Sequence, residues 1–152
     1  MNVLSKRVGI AVVACGAAAV VALTSSASLA SASRSASGPV VLVNCGTGQV
    51  KPFGFVLACA DGNAYLRKLS WVSWQGVAFG SGTEVVNSCQ PTCVGGTFYS
   101  FPVLVTAWAA KARPGHHGQR YFSELTLIHT GSLHRGHFSV PLTQTYPLPP
   151  NF

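Results

Sequence analysis

Lys51–Trp74 reads KPFGFVLACADGNAYLRKLSWVSW, and its pattern decides the fold. In Lys51–Ala60 the residues Phe53, Phe55 and Leu57 recur at every second position, the period of a strand that turns alternate side chains to one side. Asp61-Gly62 is a hairpin signal, because a turn with φ > 0 matches the twist of the strands it joins. Ala64–Trp74 then follows as a further strand.

The same grammar extends outward. Pro39–Val43 (PVVLV) is a β-branched run that ends in the turn Asn44-Cys45-Gly46. Gly76–Asn87 carries Gly76, Gly80 and Gly82 and reads as a strand broken by a bend or bulge. Ser88–Gly96 (SCQPTCVGG) is a tight loop. Thr97–Ala110 is a long β segment in which Pro102, lacking an N–H, marks an edge or a kink. Arg113–Gln119 (RPGHHGQ) is a turn, Arg120–His129 the returning strand, and Arg135–Leu142 a short last strand. Tyr146–Phe152, with Pro147, Pro149 and Pro150, reads as an extended tail. No segment beyond residue 30 sustains a 3.6-residue apolar period. Six or seven short strands at turn-punctuated spacing predict an all-β domain, a small antiparallel β-sandwich or barrel.

The first 30 residues carry a different signal. Lys6-Arg7, the apolar run Val8–Leu23 and a small polar end have the order of a cleavable, helical signal peptide. Ser28-Leu29-Ala30 puts small residues at −3 and −1 of a cleavage after Ala30, and Ala30-Ser31-Ala32 offers a second register. The apolar run is shorter than the roughly 20 residues that span a bilayer, so the exported form is expected to have no transmembrane anchor. Val12-Val13-Ala14-Cys15 has the form of a lipobox and would instead leave the protein lipid-anchored at Cys15. The apolar run continues past Cys15 to Leu23, whereas a lipobox cysteine closes such a run. The expected organisation is a signal peptide over 1–30, a flexible low-complexity segment over 31–38 (SASRSASG), a secreted β domain over 39–146 and a Pro-rich tail over 147–152.

Beyond Cys15 there are four cysteines, an even number that in an exported domain predicts two disulfides. Cys45–Cys59 ties the end of the first strand to the second across a turn, and Cys89–Cys93 closes a ring around Gln90-Pro91-Thr92. Structural zinc prefers close Cys/His pairs, which the spacing of Cys45 and Cys59 does not supply. Cys-x-x-x-Cys without a βαβ frame is not a thioredoxin-like redox site.

Only 9% of residues are charged. Outside the leader eight basic residues face three acids, Asp61, Glu84 and Glu124, for a net charge of +5. This favours anionic surfaces such as phospholipid headgroups or acidic wall polymers. The basic residues form no stripe with interleaved aromatics, which argues against a nucleic-acid partner. Three acids leave little material for paired-carboxylate glycosidase chemistry. No G-x-S-x-G elbow is present, and no Gly-rich phosphate loop precedes a helix. No catalytic residue and no cofactor is therefore expected. His116, His117, His134 and His137 lie in turns and loops; they read as solvated side chains, with a surface metal site as the alternative.

Trp71 and Trp74 are the candidate ligand-binding pair. An odd separation on a regular strand puts them on opposite faces, one in the core and one exposed, unless a bulge intervenes; the competing and favoured reading is that both fill the sandwich core. An exposed Trp beside Tyr65 or Arg67 could stack on a sugar ring or anchor a protein.

The ordered set Cys59-Ala-Asp-Gly-Asn-Ala64, Leu69-Ser-Trp-Val-Ser-Trp74, Gly82-Thr83, Asn87-Ser-Cys-Gln-Pro-Thr-Cys93, Pro102-Val103 and Tyr121–Thr126 resembles a family of small secreted actinobacterial proteins of unknown function. The resemblance covers about residues 52–130, and Val94 stands where that pattern has Ala. It implies secretion and a shared fold and carries no catalytic residue. The expected function is that of a secreted, non-catalytic binding module whose target is an envelope polymer or a protein partner. A secreted hydrolase assembled from sequence-distant residues is the alternative. A protease inhibitor presenting the Cys89–Cys93 ring is the third reading.

Overall fold

The structure is a computed structural model and describes residues 38–151. The signal peptide, its cleavage site and the lipobox at Cys15 lie outside the described residues. Among the described residues there are strands and turns and no helix, and so none long and apolar enough to cross a membrane.

The strands are β1 (Leu42–Asn44), β2 (Thr47–Gln49), β3 (Phe55–Val56), β4 (Ala64–Trp74), β5 (Ala78–Asn87), β6 (Phe98–Ala112), β7 (Arg120–His129), β8 (His134–Arg135), β9 (Phe138–Ser139) and β10 (Thr143–Pro147). Six of them form one antiparallel sheet in the order β10-β7-β6-β5-β4-β3, curled into a half-barrel. β1–β2 and β8–β9 are separate small hairpins.

Period-2 alternation sets the two faces of the sheet. Ala78, Ala107 and Leu125 lie side by side across β5, β6 and β7, as do Gly80, Val105 and Leu127. With Leu66, Leu69, Val103 and Phe122 these side chains line the inner face, which Val40, Leu42, Phe55, Leu57 and Leu148 close over. Each Leu, Val or Phe taken fully out of water there contributes about 1.5–3 kcal/mol. The N-terminal segment is fixed on β7 by a parallel bridge: Val41 donates to the Arg120 carbonyl and accepts from the Phe122 N–H.

Several segments differ from their sequence reading, each for a local reason. Lys51–Ala60 contributes only the two-residue β3, and Phe53 is exposed, while Phe55 and Leu57 are buried. The Asp61-Gly62 turn lies within a longer connection, 57–63, in which the Asp61 carboxylate accepts the Asn63 N–H and Gly62 has φ +66°. That side-chain turn competes with the two-residue hairpin. Cys45 and Gly46 both have positive φ, +46° and +88°, as a two-residue hairpin turn requires. The chain therefore reverses into β2, whose sequence TGQ offers no apolar alternation.

β5 is unbroken, and the irregularities lie in its partner. β4 bulges between Arg67 and Ser70 and again between Trp71 and Ser73. Gly80 and Gly82 stand opposite those bulges. A Cβ on Gly80 would strike the Ser70 carbonyl oxygen, and one on Gly82 would lie 2.8 Å from Leu69 Cδ2. Pro102 sits inside β6 opposite Thr83, but its carbonyl accepts from Thr130 beyond the end of the β6–β7 ladder, which starts at Val103. Its missing N–H falls where no strand asks for one. The Arg135–Leu142 strand is the β8–β9 hairpin instead. The chain beyond 142 forms β10, and Leu148 is buried with its N–H on the Ser123 carbonyl, so the fold runs past residue 146.

The disulfides pair Cys45 with Cys59 and Cys89 with Cys93, as the sequence reading favoured. Two disulfides indicate an oxidising environment.

Candidate binding face

Trp71 and Trp74 share a face. The bulge inserts Val72 into β4, so that Trp71 lies opposite Gly80 and Trp74 opposite Ala78, both inner-face positions. Their rings meet edge to face with centroids 4.7 Å apart, and Trp74 makes a second edge contact with Phe122. The Trp71 indole N–H donates to the Pro52 carbonyl at 2.9 Å and that of Trp74 to the Val40 carbonyl at 2.7 Å. Half-buried and bonded, the pair holds the segments that lead into β3 and β1. Val72, the inserted residue, is what points outward. Tyr65 and Arg67 lie on the outer face: Tyr65 packs against Phe98, and Arg67 donates to Ser100 Oγ at 3.2 Å.

The exposed aromatics are elsewhere on that outer face. Ser73, Phe79, Thr106, Thr126 and Thr145 form one row across β4, β5, β6, β7 and β10. Ser81, Leu104, Ile128 and Thr143 form the next. Trp108, two residues along β6 from Thr106, is 40% exposed, and its indole N–H donates to Thr126 Oγ1 at 3.0 Å. Thr126 and Thr145 share a further hydrogen bond at 2.9 Å. The indole is thereby held with its rim fixed on the Thr126–Thr145 hydroxyls, on the same face as the exposed side chains of Phe79 and Ile128. Sequence reading passed over Trp108 because TAWAA shows no pairing partner; the row exists only once five strands are in register.

The acids do not converge. Glu84 faces inward from β5, Glu124 lies outward on β7 beside Trp108, and Asp61 is exposed in its turn. The Asn63 backbone N–H, and then its side chain, hold the Asp61 carboxyl below the usual range. Glu84 meets His129 in a buried pair, with Tyr146 donating to the second carboxylate oxygen at 3.2 Å. Sequence gave no hint of this pair, since 45 residues separate its members. Among the described residues no three His, Cys, Asp or Glu side chains gather as a metal site. His116, His117, His134 and His137 are all exposed.

The Cys89–Cys93 ring stands out from the sheet. Gln90–Cys93 and Val94 are exposed, Val94 completely. Its base is held by Asn87, which donates to Asn63 Oδ1 and the Cys93 carbonyl and accepts the Cys89 N–H.

No family model, curated protein or solved structure matches the chain.

Proposed function

We propose that the protein is a secreted, non-catalytic module that binds a neutral polysaccharide of the cell envelope through the outer face of its sheet. The carrying observation is Trp108, exposed yet anchored through Thr126 to Thr145 in a row of hydroxyls. Sugar rings present apolar C–H faces and hydroxyl edges, and a fixed indole beside Thr and Ser hydroxyls complements both. The two rows between Arg67 and Glu124 carry no charged side chain, which favours a neutral polymer on this face. The burial of the Glu84–His129 pair supports the non-catalytic reading, because a general base has to reach its substrate. Co-sedimentation with insoluble envelope glycans tests the proposal. Trp108→Ala is expected to weaken retention about tenfold, equivalent to about 1.4 kcal/mol, while the circular dichroism spectrum stays unchanged. Equal retention of wild type and variant overturns it. So does hydrolysis of a glycan or peptide that a single Ser, His or Glu substitution abolishes.

The exposed ring favours a second reading, protease inhibition. A loop already constrained loses little entropy on binding, and the fully exposed Val94 directly follows it. Inhibition of a secreted protease that Val94→Asp removes would establish this reading over the first.

A further inference from the structure

Arg113 is 6% exposed, a burial that arginine rarely shows without a carboxylate partner. Here its partners are all neutral: Nε donates to the Pro150 carbonyl at 3.2 Å, Nη1 to Gln119 Oε1 at 2.9 Å and Nη2 to the Gly46 carbonyl at 2.8 Å. The ion pair found among the described residues is Glu84–His129, so Arg113 has no acid against it there. Three of its five N–H groups are bonded to those acceptors, and among the described residues no acid balances its charge.

The segment that follows Arg113 brings more donors to the same place. Arg113–His116 and His116–Gln119 are consecutive turns closed by His116 N–H to the Arg113 carbonyl and Gln119 N–H to the His116 carbonyl. Each has glycine at its third position, Gly115 at φ +74° and Gly118 at φ +72°, the type II arrangement that only glycine adopts at low cost. The double turn walls a cavity of about 390 Å³ lined by Arg113, His116, His117 and Arg120. A second cavity of about 460 Å³ shares His117, Gly118 and Gln119 with it and continues along Pro39, Val41 and Val50. Among the described residues neither cavity is lined by an acid.

We propose that this double turn is a binding site for a phosphate group. A buried guanidinium with no acid against it among the described residues sets a positive potential in a low-dielectric wall, where it acts more strongly than in water. Arg120, His116 and His117 add donors from the other sides. A carboxylate is satisfied by one guanidinium fork, whereas a phosphate with three acceptor oxygens uses donors converging from several directions. The apolar strip Pro39–Val41–Val50 accommodates whatever body the phosphate is attached to. This site lies apart from the neutral sheet face and does not depend on how that face is used.

Titration calorimetry of residues 31–152 with sodium pyrophosphate at low ionic strength, and co-sedimentation with phosphatidylglycerol vesicles against phosphatidylcholine vesicles, test the proposal. Saturable binding of pyrophosphate alone identifies a soluble phosphate, and binding of phosphatidylglycerol vesicles alone identifies a headgroup. In either case the triple variant H116A/H117A/R120A, all at exposed positions, is expected to bind at least tenfold more weakly with an unchanged unfolding midpoint. Arg113→Lys, which keeps the charge and loses the fork, is expected to weaken binding as well; if it unfolds the domain, the triple variant decides. Absence of saturable binding in both arms overturns the site. Equal binding by the triple variant also overturns it, as does an equal loss in Arg67→Ala, which would mark a response to net charge only.

Discussion

His129 Nε2 lies 2.6 Å from Glu84 Oε2, with both side chains about 1% exposed on the inner face of the sheet. Among the described residues His129 Nδ1 has no hydrogen-bond partner, and the ring packs edge-on against Phe101. The pair joins β5 to β7 across β6, and Tyr146 adds β10. Glu84→Ala is expected to cost about 3–5 kcal/mol, because it leaves the imidazole buried without its partner. The double substitution Glu84→Leu with His129→Leu should cost much less than the sum of the singles. Urea unfolding of wild type, Glu84→Ala, Glu84→Leu, His129→Leu and the double variant gives both numbers, and additivity of the two Leu substitutions would refute the coupling.

Tyr146 makes the domain sensitive to alkali. Burial, with the charge of Glu84 and the hydrogen bond to it, pushes the phenol above its usual range. An unfolded tyrosine ionises near pH 10. Above that pH the unfolded chain has released a proton that the folded chain still holds, so the unfolded state gains. Stability is therefore expected to be full below about pH 9 and to fall as pH rises through 10 and beyond. Unfolding midpoints measured from pH 8 to 11 should show this fall, and Tyr146→Phe should flatten it.

The β4 bulge depends on what faces it. Gly80→Ala is expected to destabilise by about 1–3 kcal/mol, as overpacking does, because the Ser70 carbonyl occupies the Cβ position. Trp71→Ala and Trp74→Ala are both expected to cost about 3 kcal/mol. Chemical denaturation of the three variants tests this, and a Trp substitution without effect would contradict the shared-face packing.

Cys45–Cys59 links the β1–β2 turn to the loop between β3 and β4. Closing a loop of about 15 residues removes unfolded-state entropy worth about 3 kcal/mol. C45A/C59A should lose about that amount, whereas C89A/C93A should lose less, because its ring is short and Asn87 already holds the base. Guanidinium unfolding curves of the two double variants give the comparison.

The all-β class and both cysteine pairs were legible because they rest on local signals: alternation, turn residues and parity. Strands without apolar alternation were not. β2 reads TGQ and β10 reads TQTYP, and each is held by its ladder partner rather than by its own pattern. The tryptophans were misplaced in the regular-strand reading by one inserted residue, Val72, since a single-residue slip exchanges the faces of a strand. Arg113 looked like an ordinary turn cation, for its acceptors at Gly46 and Pro150 are far away in the chain.

The strand order β10-β7-β6-β5-β4-β3 follows the chain, with the small β1–β2 and β8–β9 hairpins set aside. Almost every ladder therefore joins chain neighbours, and each hairpin closes a short loop at small entropic cost. Val41 on Tyr121 is the exception, reaching across most of the domain. The meander can thus assemble by successive zipping, with the Val40–Val43 segment docking after β7 is in place. Such a route gives faster folding than a Greek-key domain of the same size, and it leaves the inner face open to solvent until that last segment arrives.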